Sequence, residues 1–176
     1  LDARFDEAMD RLHAGLDRRD PLAVAEAVAR SLRLKAKIVA FDPDETKGRR
    51  AFLNLGHTVG HALEAASGFR LPHGEAVAWG LLAILEASLA HGLSREEADR
   101  LERRVVTLVA PRPLARATRE AWQARLGADK KADASGLKAI FLPAPGKPVI
   151  LPVEPGELAS GLHAATSKLE PVLALQ

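Results

Sequence analysis

The chain has 176 residues, 25 basic against 23 acidic side chains and a formal charge of +2, too little and too dispersed a charge to argue for nucleic acid or a membrane surface as partner. Apolar residues make up 47%, mostly Ala and Leu, while Tyr is absent and aromatics reach only 4%, a composition that predicts one domain with a core of closely packed helices. With no Cys, disulfides and thiolate metal ligands are excluded, any metal must use His, carboxylate or water, and a reducing, cytoplasmic setting is expected.

Residues 1–18 place Leu1, Phe5, Ala8, Met9, Leu12 and Leu16 on one face of a first helix. Asp20 followed by Pro21 is an N-cap and first-turn signal for a second, running to about Phe41. The stretch 42–48 holds turn formers and charge without periodicity, and reads as a loop delivering Arg50 to a third helix that ends at Gly68. After the connector Phe69 to Pro72, His73 and Gly74 lead into a fourth helix, Glu75 to His91, apolar on nearly every side and so the expected buried centre. Its longest apolar run, Ala76 to Leu85, is far short of the ~20 residues that a membrane span requires. Gly92 stops this helix, Ser94 with Glu97 forms a capping box for a fifth, and Pro111 and Pro113 end that one. A shorter helix around Thr118 to Leu126 follows. Leu137 to Leu142 and Val149 to Val153 read as a small hairpin, and an amphipathic helix from about Pro155 closes the chain. The chain opens on Leu inside a helical pattern, as a truncated sequence would. The expected fold is mainly α, a multi-helix bundle with a small β-hairpin near the C-terminus.

The chemistry concentrates between residues 50 and 64. Arg50, Asn54, His57, His61 and Glu64 follow at spacings that keep all five within about 40° of one line on a continuous helix. A cation, an amide, two imidazoles and a carboxylate on one stripe suggest a metal or anion site. His57 and His61 have the i,i+4 geometry by which a helix offers two imidazoles to one ion, though the spacing equally fits two histidines bonded to neighbours. Thr58 stands where a zinc protease has its glutamate base, which disfavours peptide hydrolysis. His73, at a helix start, is a further candidate ligand or a helix cap, and Glu64 suits a second role, orienting an imidazole. Lys35, Lys37, Arg50 and Asn54 could hold carboxylate or phosphate by charge-assisted hydrogen bonds. Lys130 and Lys131, after Asp129, are ordinary loop charge when taken alone.

The run Arg50-Ala-Phe-Leu-Asn54-Leu-Gly-His57-Thr-Val-Gly-His61-Ala-Leu-Glu64, followed by Leu71-Pro-His73-Gly-Glu75-Ala-Val, resembles the signature of the 3-dehydroquinate synthase family. Leu34-Lys35-Ala-Lys-Ile-Val, Asp42 and Glu45, Asp129-Lys130-Lys131 and the late Leu-Pro hairpin stand in matching order. The loop from Asp42 to Arg50 is one residue longer than the family form and carries an unexpected Pro43. The resemblance covers essentially the whole chain, as the enzyme's C-terminal helical domain.

It implies that His57 and His73 are zinc ligands, with cobalt as an alternative ion, in place of the His57 and His61 pairing that spacing suggested. It also implies that His61, Arg50, Asn54, Lys35 and the Lys130 and Lys131 pair contact the substrate's phosphate and carboxylate. An N-terminal NAD-binding domain, a third zinc ligand in a segment before Leu1, an interdomain active site and a homodimer are further implications. So is a redox-neutral conversion of DAHP into 3-dehydroquinate with loss of phosphate, in the shikimate route to aromatic amino acids. The 176 residues alone are then expected to show no turnover and weak metal binding. Rival readings are another sugar-phosphate cyclase, a metal-dependent alcohol or polyol dehydrogenase of similar build, and a non-catalytic helical domain. The zinc reading requires the rings of His57 and His73 to face one ion.

Overall fold

The computed structural model describes residues 3–44, 46, 48–129 and 136–173. Among them the elements run α1 (Ala3–Asp17), α2 (Pro21–Phe41), a 3-10 turn (Arg50–Asn54), α3 (His57–Ala66), α4 (His73–Ala87), a 3-10 turn (Ser88–His91), α5 (Arg95–Val109), α6 (Arg116–Asp129), β1 (Lys138–Phe141), β2 (Val149–Pro152) and α7 (Pro155–Leu173). This is the mainly α bundle with one late hairpin that the periodicities predict. No helix among the described residues is long and apolar enough to cross a membrane.

α4 is the centre of the bundle, with Ala76, Trp79, Leu82 and Ala83 wholly buried and with α3, α5, α7 and β1 packed around it. A helix apolar on nearly all sides gains most when neighbours cover every face. Trp79 satisfies its one polar atom by donating Nε1–H to the Arg112 carbonyl at 2.9 Å, as a buried indole must. The antiparallel β1 and β2 pair Lys138 with Pro152 and Phe141 with Val149, sending Ala139 and Phe141 into the core. The Leu142 N–H, just beyond β1, donates to the buried Ser88 hydroxyl at 2.9 Å.

Local signals set most boundaries. Asp20 caps α2 by accepting from the Leu22 N–H at 2.9 Å, with Pro21 in the first turn. Ser94 caps α5 by accepting from the Glu97 N–H at 3.2 Å, while the Glu97 carboxylate turns to Arg100 and does not return to the cap. α4 begins two residues before the predicted Glu75 and gives way to the tighter turn at Ser88, and α6 extends beyond both predicted ends.

The third predicted helix is broken. Arg50–Asn54 is a 3-10 turn that stops at Leu55, and α3 starts afresh at His57 after Gly56 takes a left-handed φ of 81°. The cause is the crossing of α3 over α4: a Cβ on Gly80 would stand 2.0 Å from the Gly56 carbonyl oxygen, and one on Gly60 would stand 3.2 Å from the Val77 Cα. The two helices run in opposite directions across this contact, so Glu64, near the end of α3, reaches His73 at the start of α4.

Among the predicted apolar residues of α1, Ala8 is buried and Phe5, Met9, Leu12 and Leu16 are half-buried; Leu1 lies outside the described residues. On α2, Leu22, Val28 and Leu32 are 80%, 51% and 61% exposed, an apolar stripe that the described residues leave uncovered.

Candidate metal centre

The helix crossing gathers three imidazoles. His57 opens α3, His61 follows one turn on, and His73 opens α4. Their ring centroids lie 5.3 Å apart for His57 and His61, 5.4 Å for His57 and His73, and 6.0 Å for His61 and His73. The rings of His57 and His73 are thus neighbours, while the residues whose ligand atoms come within 4.8 Å of one another are His61, Glu64 and His73.

The hydrogen bonds fix which ring nitrogens are presented. His57 Nδ1 is 3.3 Å from the Leu55 carbonyl, an acceptor that selects the Nδ1–H tautomer and leaves Nε2 as the free donor atom. His73 Nδ1 is 3.2 Å from both carboxylate oxygens of Glu64, the contact by which a second carboxylate orients a ligating imidazole. The sequence reading placed Glu64 in this part. Glu64 is also close enough to act directly: one ligand atom each from His61, Glu64 and His73 lie within 4.8 Å of one another. Ligands of a closed tetrahedral zinc site stand ~3.4 Å apart, so this is an open cluster. Imidazole nitrogen and carboxylate oxygen are the donors a chain without thiols can offer to zinc or cobalt, and the residues present fit such an ion.

The anion-binding candidates are placed less uniformly. Asn54 is exposed at the end of the 3-10 turn, one residue before Leu55, whose carbonyl meets His57. Arg50, half-buried, turns back on the preceding loop, its Nη1 donating to the Pro43 carbonyl at 3.0 Å. Lys35 is exposed on α2, which packs on the 3-10 turn carrying Arg50 and Asn54; Lys37 is exposed as well. Lys130, Lys131 and Glu45 lie outside the described residues.

The burial and contacts of three features are not legible in the sequence. Asp42, one of several acids in a charged loop, is fully buried; it ends α2, and its Oδ2 accepts the Arg50 N–H at 3.2 Å. Glu75, in the first turn of α4, binds the Arg112 backbone N–H at 3.2 Å and its Nε at 3.0 Å, tying the α5 to α6 connection to the helix end that carries His73. Beside His61 a cavity of about 470 Å³ opens between α3 and α6, lined by Thr58, His61, Ala62, Ala65, Arg125, Leu126 and Leu137. Residues 58, 61, 62 and 65 share one helical face, a spacing that marks the α3 wall but not the α6 residues opposite.

Comparison with known proteins extends these observations. Residues 1–132 match the family model described as 3-dehydroquinate synthase C-terminal. The chain is 41% identical over 151 residues to a 3-dehydroquinate synthase of Symbiobacterium thermophilum, covering 82% of this chain and 41% of the relative. It is 40% identical over 148 residues to one from Xanthomonas oryzae pv. oryzae, covering 80% and 40%, and 35% identical over 139 residues to one from Lactiplantibacillus plantarum, covering 78% and 38%. The chain thus spans about two fifths of the length of the curated relatives it matches.

Proposed function

The chain belongs to the 3-dehydroquinate synthase C-terminal family, and from that premise we propose that it is the metal- and substrate-binding part of a 3-dehydroquinate synthase acting on DAHP. The observation that carries this is the meeting of His57, His61 and Glu64 of α3 with His73 at the start of α4, on the motif that the resemblance picks out. His57 and His73 would hold a zinc ion through the ring nitrogens not engaged by Leu55 and Glu64, with Glu64 orienting His73. When bound, the ion polarises neighbouring hydroxyls and stabilises developing negative charge on oxygen.

The chain's own residues do the rest. Asn54, Lys35 and Arg50 hold the anionic ends of a flexible sugar acid, so that it reacts in one conformation, an effect of roughly 7–11 kcal/mol in model systems. In this role the Arg50 guanidinium exchanges the Pro43 carbonyl for a substrate oxygen, while Asp42 keeps its backbone in place. His61, exposed beside the zinc candidates, assists proton transfer as phosphate leaves. Lys130 and Lys131 complete the anion contacts. A preceding N-terminal domain supplies the NAD site and a further zinc ligand, and the uncovered Leu22, Val28 and Leu32 stripe on α2 is a surface such a domain would cover. The cytoplasm and a homodimer complete the reading.

The test joins this chain to its NAD-binding domain and measures zinc content together with phosphate release from DAHP. We expect bound zinc and phosphate release without net NADH. NADH accumulation on a simple alcohol would replace this reading with a dehydrogenase, and full turnover by the 176 residues alone would overturn the division of labour.

A further inference from the structure

We propose that Arg125 is a substrate-positioning residue, which binds the phosphoryl group of the substrate in the cavity between α3 and α6 from the side opposite His61. This deepens the function proposed above and rests on it for the identity of the ligand.

The cavity has two unlike walls. Thr58 and His61 from α3 and Arg125 from α6 supply hydrogen-bond donors, while Ala62, Ala65, Leu126 and Leu137 supply apolar surface. Leu126 and Leu137 are 2% and 8% exposed, so the floor is dry protein, against which a charge interaction is screened less than on open surface. About 470 Å³ is room for more than an ion; it takes the end of a phosphorylated chain whose other end reaches past His61 to the metal candidates. His61 is the hinge of this arrangement, lining the cavity while its ring stands 5.3 Å and 6.0 Å from those of His57 and His73.

Arg125 is distinguished from the other arginines of α6 by what it does not bind. Arg116 donates to Glu120 at 2.7 Å, and Arg119 donates to Glu170 at 2.5 Å. Among the described residues Arg125 pairs with no carboxylate, and it borders the cavity directly. A planar guanidinium with five donors matches the tetrahedral oxygens of a phosphate monoester by paired hydrogen bonds, and the Thr58 hydroxyl is a further donor within the same lining.

Inorganic phosphate, which shares the ligand's chemistry, is the probe. It is titrated into the 176-residue chain while the Arg125 Nε and His61 ring resonances are followed by NMR. Both signals are expected to shift together, R125Q to weaken the phosphate dissociation constant at least fivefold, and R125K to fall between. Unchanged melting of R125Q, whose side chain is exposed on α6, is the control for folding. In the joined enzyme R125Q is expected to raise KM for DAHP and the inhibition constant of product phosphate more than it lowers kcat. Phosphate that shifts neither resonance, or binds R125Q as well as wild type, overturns the proposal. Absence of DAHP turnover with the Arg125-dependent phosphate site intact would count against the proposed function alone, so the two failures are distinguishable.

Discussion

Glu102→Gln is expected to stabilise the chain at alkaline pH and to lose that advantage in acid. Glu102, on α5, is 2% exposed. Its Oε2 accepts from Lys168 of α7, but its Oε1 has no partner. Lys168 is shared with Asp99 at 2.6 Å and with Glu86 of α4 at 3.7 Å, and Arg95 holds Glu86 at 2.7 Å. One lysine thus serves three carboxylates. Burial, reinforced by the neighbouring Glu86, pushes the Glu102 carboxyl from 4.5 up to about 7 against the opposing pull of Lys168. A protonated Glu102 turns its orphan oxygen into a donor toward Glu86.

The sign follows from proton counting. Between about pH 4.5 and 7 the folded chain holds a proton on Glu102 that the unfolded chain has lost, so stability falls as pH rises through this window. At about 1.4 kcal/mol per pH unit, the gap bounds the penalty near 3 kcal/mol. Glu86 works the other way: burial raises its pKa, but Arg95, Glu102 and Lys168 hold it below the usual value, which offsets part of that penalty. Gln keeps an acceptor for Lys168, offers an amide N–H to Glu86 and carries no charge. Urea unfolding followed by circular dichroism should show E102Q more stable than wild type by about 1–2 kcal/mol at pH 8, narrowing to within about 0.5 kcal/mol by pH 4.5. An E102Q protein less stable than wild type at pH 8 would show that the charged Glu102–Lys168 pair is a net gain and would refute the reasoning.

Gly80→Ala tests the helix crossing: its Cβ would meet the Gly56 carbonyl at 2.0 Å, and backbone in a left-handed turn has little freedom to yield, so a loss of about 3 kcal/mol and weaker zinc binding are expected. A melting temperature within about 2 °C of wild type would show that the crossing is looser than its geometry. Glu64→Ala removes the carboxylate that both holds the His73 ring and lies within ligand distance of His61. Zinc affinity measured by competition with a chelating dye should fall about 10–100-fold with the fold unchanged, whereas equal affinity would leave Glu64 no part in the metal site.

What the sequence discloses is what local physics decides. Asp20 with Pro21 and Ser94 before α5 announce helix starts through side-chain chemistry that needs no tertiary partner. The all-round apolar run of α4 can only be a buried centre. The break at Gly56 is hidden because the apolar periodicity continues across it; its left-handed turn fits only because Gly80, a residue distant in the chain, has no Cβ where the Gly56 carbonyl stands. The same crossing sets which residues meet farther along, with Gly60 against Ala76 and Val77 and Glu64 against His73. On the unbroken helix that periodicity predicts, His57 would lie one turn below His61 with Arg50 and Asn54 on the same line, and His73 would have no determined place. In the folded chain the antiparallel crossing of α3 and α4 leaves the ring centroids of His57 and His73 5.4 Å apart, while Arg50 stays behind with Asp42 and Pro43. Arg125, Leu126 and Leu137 share a cavity with His61 for a similar reason: the packing of α6 on α3 joins residues that no spacing connects. A motif read along one helix therefore supplies His57 and His61, but the approach of His73 to both rings depends on how α3 crosses α4.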